Sequence, residues 1–201
     1  MAEKDGRERE ALTKEQQKHV REALRWAHIR PLPHACYRTA QGILFADLHL
    51  GRIRYQEGML AKPGINPVQH AWNTIDGRLF DLTQDMLEKR QGERKEARYF
   101  GFEVPTDEVK RIVGKRLVHM SVLEEICRER NSSVHIFSEY RFVPVWQEAM
   151  VKTGRRDTAG DDGRYGSLIT TFEEFLEAVE DYARRMDAIQ KLFYERAKNT
   201  A

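Results

Sequence analysis

Apolar and polar residues alternate with a helical period near the beginning of the chain. Thr13 followed by Gln16 matches a capping box, in which side chain and backbone satisfy each other at the first turn of a helix. The apolar positions that follow recur with the period of a helix: Val20, Leu24 and Trp26–Ala27. Pro31 and Pro33 lack a backbone N–H, so the pattern predicts a helix that ends before them.

The middle of the chain has the shorter apolar runs that are typical of strands. Strands are predicted at residues 55–61, 68–75, 78–82 and 99–104, with a solvated insertion or short helix at 88–98. Asp76-Gly77 is the strongest hairpin signal, because a type I′ turn needs positive φ at both central positions. Two weaker strand candidates lie at 133–137 and 141–146, and residues 154–166 form the best candidate for a mobile loop.

Further helices are predicted on both sides of this block of strands. One runs from about Cys36 to Leu48, and others begin near Thr106 and Ser121. Thr171 and Glu174 cap a long last helix, which extends to about residue 198. Its apolar positions recur at helical spacing: Phe172, Phe175, Leu176, Val179, Met186, Ile189 and Phe193. Helices that flank a small central group of strands predict the α+β class.

Composition and charge narrow the class of protein. The 201 residues are 40% hydrophobic and 33% charged, so the chain can bury a core under an ion-rich surface. We expect a disordered tail at residues 1–12 and a single domain at 13–201. The net charge of +2 gives no global signal for nucleic acid, and no apolar run reaches the roughly 18 residues of a membrane span. Two cysteines and an N-terminus without an apolar signal segment favour a cytoplasmic protein.

Three side chains stand out as candidates for catalysis: Cys36, His70 and Asp81. Cys36 lies just after Pro33 at a predicted helix start, where the helix dipole and unpaired N–H groups favour a thiolate. Cys127 lies inside a predicted helix, where a cysteine is typically a packed apolar residue. These features make Cys36 the better candidate nucleophile.

The predicted hairpin connects the other two candidates. If Asp76-Gly77 is a two-residue turn, Ile75 pairs with Arg78, and continuing the ladder places Trp72 opposite Asp81. His70 then lies diagonal to Asp81 on the same face, about 7–8 Å away at the backbone, so the carboxylate can reach the imidazole.

Five short runs of sequence stand out around these candidates: CYRTA at 36–40, YQEG at 55–58, HAWN at 70–73, DLT at 81–83 and YFG at 99–101. Together they resemble transglutaminase-like cysteine hydrolases of the papain-like superfamily, most of all small phage and bacterial members. The similarity covers about residues 36–125. Leu82 stands where proline is usual, and Thr39 stands where a small amide is expected.

The resemblance implies a cysteine-bearing helix packed on a small antiparallel sheet and a catalytic triad. Cys36 would be the nucleophile, His70 the general base and acid, and Asp81 the group that orients the ring. The implied activity is an amide or ester hydrolase or acyl transferase (peptidase, deamidase or transglutaminase) that forms a thioester with a protein or peptide substrate. No cofactor or metal is implied. Additional candidates for the oxyanion hole or the cleft are Tyr37, Glu57, Trp72 and Asn73.

Other interpretations stay open at this point. Zinc could in principle be held by His34, Cys36, His70 and Asp81, although the spacing lacks the paired pattern of structural zinc modules. A non-catalytic binding protein on the same fold could use the C-terminal helix to dock a partner or a second copy of the chain. A basic helix face could bind nucleic acid; its residues are Lys110, Arg111, Lys115 and Arg116.

Overall fold

The computed structural model describes residues 6–63, 65–92, 96–116, 120–130 and 169–199. Within these residues six helices accompany four antiparallel strands, so the α+β class is confirmed. In chain order the elements are α1 (Lys14–Trp26), α2 (Cys36–Ala46), β1 (Ile53–Lys62), β2 (Ile65–Ile75), β3 (Arg78–Phe80), α3 (Leu82–Gln91), β4 (Arg98–Glu103), α4 (Thr106–Arg116), α5 (Val122–Glu129) and α6 (Phe172–Asn199).

The strands form one sheet in the order β3-β2-β1-β4. At its centre Gly58 of β1 lies between His70 of β2 and Gly101 of β4. The predicted hairpin is confirmed, because Ile75 pairs with Arg78 across a turn in which Asp76 and Gly77 have φ values of 50° and 81°.

The strand predicted at 78–82 is wrong in its last two residues. The ladder ends at the pair of Asn73 with Phe80, and the chain then enters α3. Asp81 ends the strand because its side chain caps the new helix, accepting hydrogen bonds from the N–H groups of Thr83 and Gln84. Helix α3 therefore begins well before the insertion predicted at 88–98. It ends at Gln91, and Gly92 caps it in a left-handed conformation.

The helix caps agree with the sequence pattern, while the end of α2 differs from it. The capping box of α1 is present, with the Gln16 N–H 3.2 Å from Thr13 Oγ1 and the Thr13 N–H 3.0 Å from Gln16 Oε1. The Glu174 N–H likewise donates to Thr171 Oγ1 at the start of α6. Helix α2 ends at Ala46, so Leu48 lies outside it and is 38% exposed.

The core lies on both faces of the sheet. The largest apolar cluster joins one face to α2, α4, α5 and α6, and its central members include Tyr55, Met59 and Ala71. A second cluster packs Val20 of α1 and Ile43 of α2 against the strands. Successive strand residues point to opposite faces, so Trp72 belongs to a third, smaller cluster behind the sheet. Among the described helices, none is long and apolar enough to cross a membrane.

Residues 6–12, here called the N-terminal strap, differ from the disordered tail expected at residues 1–12. Arg7 and Tyr99 exchange two backbone hydrogen bonds of 2.9 and 2.8 Å, and the Glu10 N–H donates to the Leu79 carbonyl. The Arg9 guanidinium binds two carboxylates of α3, those of Asp85 and Glu88. These charges, which looked like a solvated tail in the sequence, instead pair across the fold.

Several predicted features lie outside the described residues. They are residues 1–5 of the expected tail, the strands at 133–137 and 141–146, the loop at 154–166, and the side chains of Met186, Ile189 and Phe193 in the last helix.

Candidate active site

Cys36 is the first residue of α2 and is 8% exposed. The preceding residue, Ala35, provides no side-chain hydrogen bond to cap this helix. The first N–H groups of a helix have no partner within it, and the helix dipole places partial positive charge at the same end. The thiol therefore lies where a negative charge on sulfur, or on an oxygen next to it, is stabilised.

The imidazole of His70 meets the carboxylate of Asp81 inside the protein. Nε2 of His70 lies 2.6 Å from Oδ2 of Asp81, and both residues are buried. The regular ladder ends one pair before the predicted pairing of Trp72 with Asp81, at Asn73 and Phe80. Asp81 nevertheless keeps an extended backbone (φ −143°, ψ 100°), and the diagonal contact expected from the hairpin is made.

Every oxygen of the Asp81 carboxylate has hydrogen-bond donors. Oδ1 accepts from the N–H groups of Thr83 and Gln84 at 3.0 Å each, and Oδ2 accepts from the Tyr99 hydroxyl at 3.0 Å as well as from His70. Burial by itself would raise the pKa of Asp81, but the charge of His70 and these hydrogen bonds lower it. The carboxylate is therefore ionised at neutral pH.

The charge of Asp81 determines the protonation of His70. Burial by itself would lower the pKa of the His70 ring, but the charge and hydrogen bond of Asp81, followed by the interaction with Cys36, raise it to about 10. Nε2 is occupied by Asp81. Nδ1 is therefore the ring nitrogen that is left to exchange a proton with the thiol.

Cys36 and His70 open onto one cavity of about 380 Å³. The cavity lies between the start of α2, the turn end of the β1–β2 hairpin and the first turns of α3. Its lining residues are His34, Cys36, Tyr37, Leu60, Lys62, Asn66, Val68, Gln69, His70, Thr83, Gln84 and Leu87. Cys36 and His70 are thus accessible from the same cavity.

Two further predicted site residues lie beside the cavity. Tyr37 lines it, next to Cys36. Trp72 is buried behind His70, with the two rings stacked at 6.4 Å and an interplanar angle of 16°, and it is absent from the cavity lining. Trp72 thus supports the ring of His70 from within the core.

Glu57 and Asn73, predicted as cleft residues, lie away from the cavity lining. Glu57 is buried against α5, where its carboxylate accepts from the Tyr55 hydroxyl (2.7 Å) and the Val122 N–H (3.1 Å), and contacts the Ser121 hydroxyl. Asn73 donates to the carbonyl oxygen of Ala40 and so joins α2 to the sheet. Glu57 therefore joins the sheet to α5, while Asn73 joins the strand that carries His70 to the helix that carries Cys36.

Sequence reasoning missed the contact between Tyr99 and Asp81. The sequence places Tyr99 at the start of a strand and in one of the runs that carry the family resemblance, and neither feature predicts a partner for its hydroxyl. Its hydroxyl reaches a residue that lies 18 positions earlier, on another element. A period or a cap relates residues a few positions apart, so it carries no signal for a contact of this kind.

The other cysteine and the alternative sites have different surroundings. Cys127 is fully buried in the largest apolar cluster, as predicted for a packed residue, and burial raises its pKa to about 12. Among the described residues, no group of three or more His, Cys, Asp or Glu side chains is arranged to hold a metal ion. On the basic face of α4, Lys110 pairs with Asp107 and Arg111 with Glu108 and Glu129, while the side chains at 115 and 116 lie outside the description.

Fold and site together define an α+β protein with a buried Asp–His pair beside a helix-start cysteine. Comparisons of the chain with protein-family models, with curated proteins and with solved structures found no match. The resemblance of residues 36–125 to transglutaminase-like and papain-like hydrolases therefore stays a prediction.

Proposed function

We propose that this protein is a cysteine-dependent amide or ester hydrolase or acyl transferase. The observation that carries the proposal is the buried His70–Asp81 pair, whose ring opens onto the same cavity as the thiol of Cys36. A thiol next to an imidazolium and a helix N-terminus is activated toward the thiolate, which is the nucleophilic form.

In the proposed reaction, the Cys36 sulfur attacks the carbonyl carbon of the substrate and forms a tetrahedral intermediate. Backbone N–H groups near Cys36 and Tyr37 would stabilise its oxyanion. His70 then gives its Nδ1 proton to the leaving amine or alcohol as the C–N or C–O bond breaks, leaving a thioester on Cys36.

The second half of the reaction restores the enzyme. His70, now neutral, removes a proton from water or from an acceptor amine, which attacks the thioester carbon. Collapse of the second tetrahedral intermediate expels the Cys36 thiolate and releases an acid or a new amide. Protein or peptide amides are the substrates we favour, and a reducing cytoplasmic compartment would keep the thiol reduced.

The test compares the two cysteines of the same chain. With a haloacetamide and peptide-resolved mass spectrometry, Cys36 is expected to react faster than Cys127. His70→Gln, which removes the base while keeping most of the side-chain volume, should slow the labelling of Cys36 and leave that of the buried Cys127 unchanged. If Cys36 in the unaltered protein reacts no faster than Cys127, or if His70→Gln leaves its rate unchanged, the proposal is wrong.

A second measurement follows the acyl intermediate. Incubation with a panel of activated esters and peptide amides should give an acyl adduct on the intact protein, and the adduct should be absent in Cys36→Ala and retained in Cys127→Ala. We expect His70→Gln to slow acylation by roughly 100-fold or more, the usual contribution of general acid–base catalysis. An adduct that persists in Cys36→Ala would contradict the mechanism.

A further inference from the structure

Tyr99 is the one side chain, among the described residues, whose hydroxyl contacts the Asp81 carboxylate. It donates to Oδ2, the oxygen that also lies 2.6 Å from His70 Nε2. Burial and the neighbouring charge of Asp81 both raise the pKa of Tyr99, so the phenol keeps the proton that it donates. The hydroxyl and the imidazole therefore share one acceptor atom.

The contacts of both oxygens fix the orientation of the Asp81 carboxylate. Oδ1 is held by the two N–H groups at the start of α3, which set the position of the carboxylate along the chain. Rotation about the last side-chain bond would break those contacts and the Tyr99 contact together. The angle at which Oδ2 meets His70 then depends on where the Tyr99 hydroxyl lies.

Tyr99 is itself held on three sides. Its ring is 2% exposed and packs edge-on against Trp72, with ring centroids 5.2 Å apart, and it also contacts the ring of His70 at 6.3 Å. Its backbone pairs with Leu60 of β1 and, on the other side, with Arg7 of the N-terminal strap. The phenol has little freedom to leave the carboxylate.

We propose that Tyr99 is a positioning residue for the catalytic pair: its hydroxyl, supported by the N-terminal strap, orients Asp81 so that Nδ1 of His70 faces Cys36. This inference rests on the function proposed above, because the pair needs a defined direction only if the imidazole exchanges a proton with the thiol. Tyr99 acts through Asp81 and touches no substrate.

Tyr99→Phe tests the proposal because it removes the hydroxyl and keeps the packed ring. Tyr55→Phe is the matched control, since Tyr55 is another fully buried tyrosine whose hydroxyl donates to a carboxylate, that of Glu57, away from the cavity. Both variants are expected to lose similar stability in denaturant titrations. Only Tyr99→Phe should slow haloacetamide labelling of Cys36 at neutral pH, by roughly tenfold, the effect of one hydrogen bond to a charged group. It should also move the pH dependence of labelling.

A second readout does not depend on the reactivity of the thiol. The proton between His70 Nε2 and Asp81 Oδ2 should give a far-downfield signal in the proton NMR spectrum, and Tyr99→Phe should shift or broaden this signal while Tyr55→Phe leaves it in place. An unchanged signal and an unchanged labelling profile in Tyr99→Phe would overturn the proposal and leave Tyr99 a packing residue.

The two proposals fail in distinguishable ways. If Cys36 labels no faster than Cys127 in the unaltered protein, the proposed function fails before any variant is made. If Cys36 is reactive but Tyr99→Phe changes neither its labelling nor the NMR signal, the enzyme proposal stands and the positioning role of Tyr99 is excluded.

Discussion

Asp81 uses its two carboxylate oxygens for two different tasks. Oδ1 caps α3 and so ends the strand, while Oδ2 meets His70 and Tyr99. A neutral capping side chain can perform the first task, but only an ionised carboxylate can hold a buried imidazolium. The protonation of the pair therefore links stability to pH.

The sign of this link follows from the direction of the two pKa changes. The pKa of His70 is raised to about 10 from an ordinary value of 6.5, so its contribution to stability is complete below pH 6.5 and is lost as pH rises through about 10. The pKa of Asp81 is lowered, so its contribution is present above its ordinary value of 3.8 and is lost as pH falls below that value. The pair therefore stabilises the fold most between pH 3.8 and pH 6.5, where both contributions are present.

Replacing Asp81 by Asn separates the two tasks. Asparagine still caps a helix, but it leaves the buried ring without a counter-charge, so we expect a loss of about 3–5 kcal/mol at pH 6. The unfolding free energy, measured by denaturant titration at several pH values, should fall between pH 6.5 and pH 10 in the unaltered protein and should fall less over this range in Asp81→Asn. Parallel pH profiles for the two proteins would contradict the assignment of the raised pKa to this pair.

Among the secondary-structure elements, β1 and β4 come unusually close where two glycines face each other. Gly58 pairs with Gly101, and a Cβ atom added to Gly58 would lie 2.2 Å from the carbonyl oxygen of Phe100. A Cβ atom on Gly101 would lie 2.7 Å from the ring of Trp72. The absence of a side chain at Gly58 lets β1 approach the backbone of β4, and its absence at Gly101 lets Trp72 pack against β4, the strand that carries Tyr99.

Gly58→Ala is therefore expected to force β1 and β4 apart. Overpacking of this kind costs about 1–3 kcal/mol, and it should also slow the labelling of Cys36, because β4 carries Tyr99. Gly114→Ala on α4 is the matched control: nothing lies within 4 Å of the added Cβ, and replacing a helical glycine by alanine gains about 0.5–1 kcal/mol. Thermal unfolding and labelling rates of both variants test this expectation, which a neutral Gly58→Ala would refute.

Over the whole molecule, a buried carboxylate joins the sheet to the helical layer beside it. Glu57 on β1 accepts the Val122 N–H at the start of α5, and its other partners are the hydroxyl groups of Tyr55 and Ser121. Burial raises the pKa of Glu57 to about 7, although these hydrogen bonds oppose the increase. The connection between the two layers therefore titrates near neutral pH.

The effect of pH on stability through Glu57 has the opposite sign to that of an ordinary paired carboxylate. Because the pKa of Glu57 is raised from 4.5 to about 7, its contribution to stability is complete below pH 4.5 and is lost as pH rises through 7. The loss amounts to about 3 kcal/mol above pH 7. In Glu57→Gln, which cannot ionise, the fall in unfolding free energy between pH 4.5 and pH 8 should be smaller by this amount. An equally steep profile in the variant would show that Glu57 is not the group that titrates.

Local signals in the chain were sufficient for the features that depend on nearby residues. The capping boxes at Thr13 and Thr171 and the Asp76-Gly77 hairpin all link residues that are a few positions apart, and the structure contains each of them. The predicted hairpin also predicted the contact of His70 with Asp81, because a two-residue turn sets the register of both strands.

Contacts between distant segments required the folded chain. Asp81 caps α3 and so ends a strand that the apolar pattern would have continued. The N-terminal strap pairs with the sheet, although its charges looked solvated in the sequence. Tyr99 reaches Asp81 from β4, a different strand of the sheet. The physical reason is that turns and caps are satisfied by neighbours along the chain. The charges of the buried Asp81 and the half-buried Arg9 are instead satisfied by the partners that the packing of the layers brings to them.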